Sequence, residues 1–247
     1  MKGRRFETAD EAARFEELSR FLDPQHFPSS LGRHGRGMLV EWRDGVNSDE
    51  VRSPNGFHER CGEILGALHA TSVPDPVRVS HGFPFSAWGR RLENNVDKLV
   101  GSGVLSQGEA ELTVGLAKRQ APGRADTGLI HGDFCAENIV VGVDGRPWIV
   151  DNERLTVDAF SYDLARTWYR WPMSGIQWDA FLSGYRRNRE AETFEGTLGF
   201  WALAVLSEAA AFRVVFATPG AHVPVDRLKQ LVRVGSQVTP RASIGHS

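Results

Sequence analysis

Residues 129–166 read LIHGDFCAENIVVGVDGRPWIVDNERLTVDAFSYDLAR. Two runs of strand-forming residues stand in it, Ile139-Val140-Val141 and Trp148-Ile149-Val150, whose β-branched and aromatic side chains suit a pleated surface. Between them lies Asp144-Gly145, a pair favoured in two-residue type I′ hairpin turns, where both positions need positive φ. With those two residues as the turn, Val143 opposes Arg146, Val141 opposes Trp148 and Asn138 opposes Asp151. Opposed side chains in a hairpin have Cβ atoms about 4.5–5.5 Å apart, so an amide oxygen and a carboxylate are expected side by side. Asp133, in the loop just before, is close enough to join them. Hard cations such as Mg²⁺ take oxygen ligands of this kind, few of them from protein. Pro147 lacks a ladder donor and marks an edge strand or a bulge, and a bulge would move the register by one.

The order of the polar residues adds a second signal. His131-Gly132-Asp133 is a His-x-Asp, Asn138 follows the Asp by five residues, and Asp151 closes the next hairpin. That is the spacing of a kinase catalytic loop and its metal-binding aspartate. With Gly132 in the middle and Tyr162-Asp163-Leu164-Ala165 behind, the stretch resembles the aminoglycoside phosphotransferase and choline kinase group of small-molecule kinases. A His-Gly-Asp or an Asp-Gly hairpin alone is commonplace, so the resemblance rests on the joint order and spacing. It departs at Asp151-Asn152-Glu153, where the family more often has an aromatic after the Asp, and this alters the packing beneath the carboxylate.

The resemblance implies an α+β, protein-kinase-like fold. Residues 1–44 would form a truncated N-lobe with a hinge at 39–45, and residues 45–247 a helical C-lobe carrying the catalytic hairpin. It implies transfer of the γ-phosphoryl of ATP, with Mg²⁺, to a hydroxyl of a small molecule. Asp133 would be the catalytic base, Asn138 and Asp151 the metal ligands, and His131 and Asp163 the braces of the loop. Backbone groups of Glu41 and Trp42 would meet the adenine. Lys2 would be the phosphate-binding lysine, and Glu16 or Glu17 its ion-pair partner. The strands and glycine loop that usually precede that lysine are missing from this sequence, so a surface lysine at a frayed terminus is an equal reading of Lys2. An in-frame extension upstream of Met1 would resolve the two. The same truncation keeps open a second class, a catalytically impaired pseudokinase acting as a binding module. A kinase of a sugar or lipopolysaccharide component is a third reading.

The remainder of the chain is consistent with one soluble, cytoplasmic protein of 247 residues. A formal net charge of −2 gives no electrostatic case for nucleic acid or an anionic membrane. No apolar run is read as long enough to span a membrane, and the N-terminus is polar. Cys61 and Cys135 are expected as free thiols, Cys135 exposed, with no spacing that suggests a nucleophile. A helix is expected over 8–22, with Thr8 and Glu11 at capping-box spacing and Ala12, Phe15, Leu18 and Leu22 on one face. Gly32, Gly35 and Gly37 follow that helix, which suits a hairpin turn into a strand at 38–42 and not a phosphate loop. Residues 47–55 read as a polar loop and 73–84 as a Pro-rich connection. Helices are expected over 57–70, 86–100, 107–120, 159–170, 176–187, 192–216 and 225–234, with a loose tail from Gly235. His69 reads as structural, and Trp168, Trp171, Trp178 and Trp201 as core. From Ser174 onward there are six Asp and Glu against eight Lys and Arg. That is the wrong sign for a pocket that receives a polycationic aminoglycoside; it leaves room for a neutral or partly apolar alcohol.

Overall fold

The computed structural model describes residues 1–51 and 54–235. Arg52 and Ser53 in the polar loop, and the tail expected to be loose beyond Gly235, lie outside the described residues. The chain opens with β1 (Lys2–Arg5), α1 (Ala9–Ser19), β2 (Ser30–His34) and β3 (Gly37–Val40). These strands form an antiparallel sheet in the order β1-β3-β2. Lys2 pairs with Val40, and Arg4 with Met38, so Lys2 sits in a sheet and not at a frayed end. Gly35 has a φ of 56°, and the glycine stretch is the β2–β3 turn. Thr8 caps α1 as the spacing predicted: the Glu11 N–H donates to Thr8 Oγ1 at 3.1 Å, and the Glu11 carboxylate accepts from the Thr8 N–H at 3.3 Å. The helix stops at Ser19, a turn earlier than its apolar periodicity suggested.

After a short β4 (Val46–Asn47) the chain is mostly helical, with α2 (Phe57–Ala70), α3 (Asp75–His81), α4 (Trp88–Gly101) and α5 (Gln107–Gln120). The Pro-rich connection thus contains a short helix, which accepts Pro76 in its first turn because the N–H lost there has no helical partner. Residues 127–159 supply β5 (Thr127–Ile130), β6 (Ile139–Val141), β7 (Pro147–Ile149) and β8 (Thr156–Ala159). Then follow α6 (Phe160–Arg170), α7 (Gly175–Tyr185), α8 (Glu192–Val215) and α9 (His222–Val234).

Two packing features position the site. The first is a close contact of α2 with α7. A methyl group at Gly62 would run into the Phe181 carbonyl, and one at Gly184 into that of Glu59. The backbones therefore meet, and His69 at the end of α2 comes within 2.9 Å of the Tyr185 hydroxyl. The second is α8, which is covered by α4, α5, α6 and α9. It has 24 residues, of which an 18-residue window has a mean hydropathy of 1.6, and is by length and composition sufficient to cross a membrane. This corrects the expectation that no run approaches that length. Burial on several sides explains the composition, since a helix enclosed by neighbours needs apolar residues all round. Trp171, Trp178 and Trp201 are buried with it in the core, whereas Trp168 is partly buried against the same cluster.

Candidate active site

The hairpin forms, but its register differs by one residue from that read from Asp144-Gly145. The pairs are Ile139 with Ile149, Val140 with Trp148 and Val141 with Pro147. The Gly142 N–H donates to the Arg146 carbonyl at 2.9 Å, and the Gly145 N–H to the Gly142 carbonyl at 2.9 Å. Gly145 alone takes a left-handed φ, 75°, as in a three-residue loop closed by a glycine bulge. Pro147 lies on the edge strand β7, where its missing N–H breaks no ladder. Asn138 consequently opposes Val150, whose N–H donates to its carbonyl at 2.9 Å. Asp151 falls one residue beyond the pair, with φ 61° and ψ 48°. A left-handed Asp is uncommon, and such strain collects at functional positions. This turn, and not cross-strand opposition, aims the Asp151 carboxylate.

The loop between β5 and β6 is held from below. Asp163, fully buried near the start of α6, accepts the His131 N–H at 2.8 Å and the Gly132 N–H at 3.0 Å. It also accepts from His69 Nε2 at 3.2 Å, and His69 Nδ1 is bonded to Tyr185. Burial works to raise the Asp163 pKa, but the His69 hydrogen bond and the charges and donors around it outweigh burial and hold the carboxyl below its ordinary value. Gly132 has a φ of 77°, and a Cβ there would stand 2.7 Å from the Arg154 carbonyl, so the chain turns where only glycine fits. The Asp133 N–H donates to His131 Nδ1 at 3.2 Å, so the ring proton is on Nε2, which donates to Asn152 Oδ1 at 3.0 Å. Asn152, where an aromatic is usual in the family, is thus a buried polar tie.

Asp133, read as a loop residue, is not an exposed carboxylate. Its side chain is 17% exposed, and its Oδ1 lies 2.7 Å from the buried Arg166 guanidinium. Burial alone would raise its pKa; the charges of Arg166 and Arg170 win, and the carboxyl is held below its usual range. Asn138 donates from Nδ2 to the Asp133 carbonyl at 2.9 Å, which leaves its Oδ1 without a hydrogen bond among the described residues. Asp151 pairs with Arg4 and, at 3.7 Å, with Lys2; Arg4 also pairs with Glu153. Among the described residues no three His, Cys, Asp or Glu converge on one metal position. Asn138 Oδ1 and the Asp151 carboxylate are oxygen donors of the type that hard cations take.

The other expected residues fall as follows. Glu16 is bonded to Arg33 at 2.9 Å and Glu17 to His81 at 2.8 Å, so neither meets Lys2. The Glu41 N–H is committed to the Ser29 carbonyl at 3.0 Å and the Glu41 carboxylate to Ser29 and Arg43. Trp42 is exposed and bonds Asp44 through its indole N–H. Cys135 is fully buried, contrary to expectation, and burial pushes its thiol up to about 11. Arg4, Asn152 and Arg166 were not foreseen, nor was Glu208, which lies 3.5 Å from Arg154 and 3.8 Å from Arg166. Reading residues 2–5 as a strand would have set Arg4 beside Lys2 by its period of two. Asp163 and Arg166 are one helical turn apart, which is a weaker clue.

Two cavities meet here. One, of about 300 Å³, lies between Val40, Glu41, Trp42, Val140 and Val150. The second, of about 1160 Å³, is bounded by α1, Arg166 and α8. Lys2, Arg4 and Asp151 line both.

A helical body bearing a catalytic hairpin, with a small sheet over it and two cavities sharing one aspartate, is the architecture of a kinase-like phosphotransferase. The chain belongs to the phosphotransferase enzyme family, whose model matches residues 1–200. It is 29% identical over 187 residues to a homoserine kinase of Methylobacterium radiotolerans, covering 71% of this chain and 54% of that protein. The chain thus spans about half the length of that relative. The fold is similar to choline kinase LicA of Streptococcus pneumoniae, with a TM-score of 0.67 and 14% identity over 94% of this chain and 85% of the other. It is also similar to a spectinomycin phosphotransferase in complex with ADP and spectinomycin, with a TM-score of 0.58 and 13% identity over 92% and 80% of the two chains.

Proposed function

We propose that the protein transfers the γ-phosphoryl of ATP to a hydroxyl of a small molecule. The observation that carries this reading is the sharing of Asp151, Lys2 and Arg4 by the two cavities. A phosphoryl group passing from the smaller to the larger must cross that boundary. The smaller cavity takes the adenine against Val40, Val140 and Val150, with the Glu41 carbonyl and the Trp42 N–H as the hinge groups. Residues 1–44 act as the lobe above the nucleotide, and residues from 45 onward carry the catalytic loop. The ADP complex of the spectinomycin phosphotransferase supports the nucleotide half of this reading.

In the reaction the acceptor oxygen bonds to the γ-phosphorus, the bond from that phosphorus to the β-bridging oxygen breaks, and ADP leaves. Asp133 accepts the hydroxyl proton; its lowered pKa keeps it ionised at neutral pH. Asn138 and Asp151 would hold Mg²⁺, which would neutralise phosphate charge. Lys2 and Arg4 add positive charge at the boundary. Asp163 and His131 keep the loop in place, and Asn152 fixes the His131 ring. Positioning and charge neutralisation are the main contributions of a protein to phosphoryl transfer. The test is Asp133→Asn, which retains a group able to bond Arg166 through its oxygen. Loss of ADP release is expected from a chain that still unfolds cooperatively, at a lower temperature because Arg166 keeps an acceptor but loses its counter-charge; turnover at the unsubstituted rate would remove Asp133 from the mechanism.

A further inference from the structure

The larger cavity has more positive charge than its own acids can neutralise. Several of its arginines are already matched. Arg4 is paired with Asp151 and Glu153, Arg166 with Asp133, and Arg170 with Glu137. Arg154 lies 3.5 Å from Glu208, which Arg91 and Arg166 also approach. Three others in its lining have no carboxylate partner among the described residues: Arg5 from β1, Arg14 from α1 and Arg213 from α8. Arg213 donates only to the Pro219 and Gly220 carbonyls, both at 3.3 Å. Of the acids lining the cavity, Glu11 is spent on the α1 cap, and Glu7 alone has a carboxylate without a bond. The unmatched cations come from the small sheet, from α1 and from the far end of α8, and all three line the one cavity.

Taking the kinase reading as given, we propose that the acceptor alcohol is an anion, a carboxylate- or phosphate-bearing hydroxyl compound whose charge is received by Arg14 and Arg213. An arginine fork matches either group with two parallel hydrogen bonds. A cationic acceptor would meet uncompensated like charge, which suppresses wrong partners. The cavity of about 1160 Å³ is large enough for such a molecule beside the triphosphate tail. Arg166 borders the same cavity and touches Asp133, so the anionic end lies away from the reacting hydroxyl and toward α1 and α8.

The experiment compares three six-carbon polyols that differ in charge at one end: gluconate, sorbitol and glucamine. ADP release is measured with each, for the unsubstituted chain and for Arg14→Glu/Arg213→Glu. Gluconate is expected to have a kcat/KM at least about tenfold above sorbitol, with glucamine lowest. Charge reversal should abolish or invert that order, and added salt should raise the KM for gluconate while leaving that for sorbitol alone. A structural role for the two arginines would lower all three alike. Equal use of the three polyols, preference for glucamine, or an unchanged order after reversal overturns the proposal. Slow hydrolysis of ATP by water, lost in Asp133→Asn, reports on the kinase reading separately. If that activity is missing, the kinase reading fails and the acceptor proposal fails with it. If it is present without anion preference, the acceptor proposal alone is wrong.

Discussion

The Arg166 guanidinium lies 2.7 Å from Asp133 Oδ1, and its side chain is 7% exposed. Two residues 33 positions apart thus form an ion pair that both stabilises the loop and sets the ionisation of its carboxylate. Removing one member of a buried pair costs up to about 3–5 kcal/mol, because the other stays desolvated and unpaired. Arg166→Gln should lower the urea midpoint accordingly. It should also let burial dominate at Asp133, so that the acid limb of a kcat/KM profile moves to higher pH. An unmoved acid limb would show that Arg166 does not control Asp133. The same pair means that Asp133→Ala is a poor probe of chemistry, since it strands a buried guanidinium.

Asp151→Asn removes charge where Arg4 and Lys2 converge. Mg²⁺-dependent nucleotide binding should weaken more than metal-free binding, by roughly tenfold for each 1.4 kcal/mol of lost interaction. Titration calorimetry with and without Mg²⁺ distinguishes the cases; equal loss in both would mark Asp151 as structural.

Asp163→Ala should destabilise the chain by several kcal/mol, because the His131 and Gly132 N–H groups and the His69 ring lose one buried acceptor, at about 1–3 kcal/mol for each unsatisfied group. The pH sign follows from its lowered pKa. The folded state holds the carboxylate below the unfolded value of 3.8, so this stability is present above that pH and is lost as pH falls through the folded value. Urea midpoints between pH 3 and pH 6 should fall on the acid side, and the Ala variant should lack that component.

Asp158 has the opposite sign. It is buried and accepts from the Trp88 indole N–H at 2.8 Å and the Ala159 N–H at 2.6 Å. Burial raises its pKa from 3.8 to about 6 despite those donors. The folded state therefore holds the proton more tightly than the unfolded chain, and stability declines as pH rises between those values. Asp158→Asn keeps an acceptor oxygen and has no proton to lose. It should match the unsubstituted chain at pH 4 and exceed it at pH 8 in a denaturant titration; a variant that is weaker at both would contradict a charge penalty.

Much of this protein was legible residue by residue. The order of His131, Asp133, Asn138, Asp151 and Asp163 pointed to the family, because their joint spacing is that of a kinase-like catalytic loop. Thr8 and Glu11 located α1, and Phe57 to Ala70 was read as α2 at its observed bounds, because caps and helical periodicity act over a few residues. The hairpin register escaped, since Asp-Gly fits either a two-residue turn or a glycine bulge, and strand packing selects between them. Nothing adjacent to Asp133 in the sequence predicts its pairing with Arg166. The partner of Glu17, His81, was likewise set by a chain segment distant in sequence. Short-range forces wrote the elements and the motif into the sequence. Burial, the register of Asp151 and the ion pairs around the carboxylates were decided only when the helices closed over the hairpin, because desolvation and charge pairing depend on what comes within a few ångströms in space.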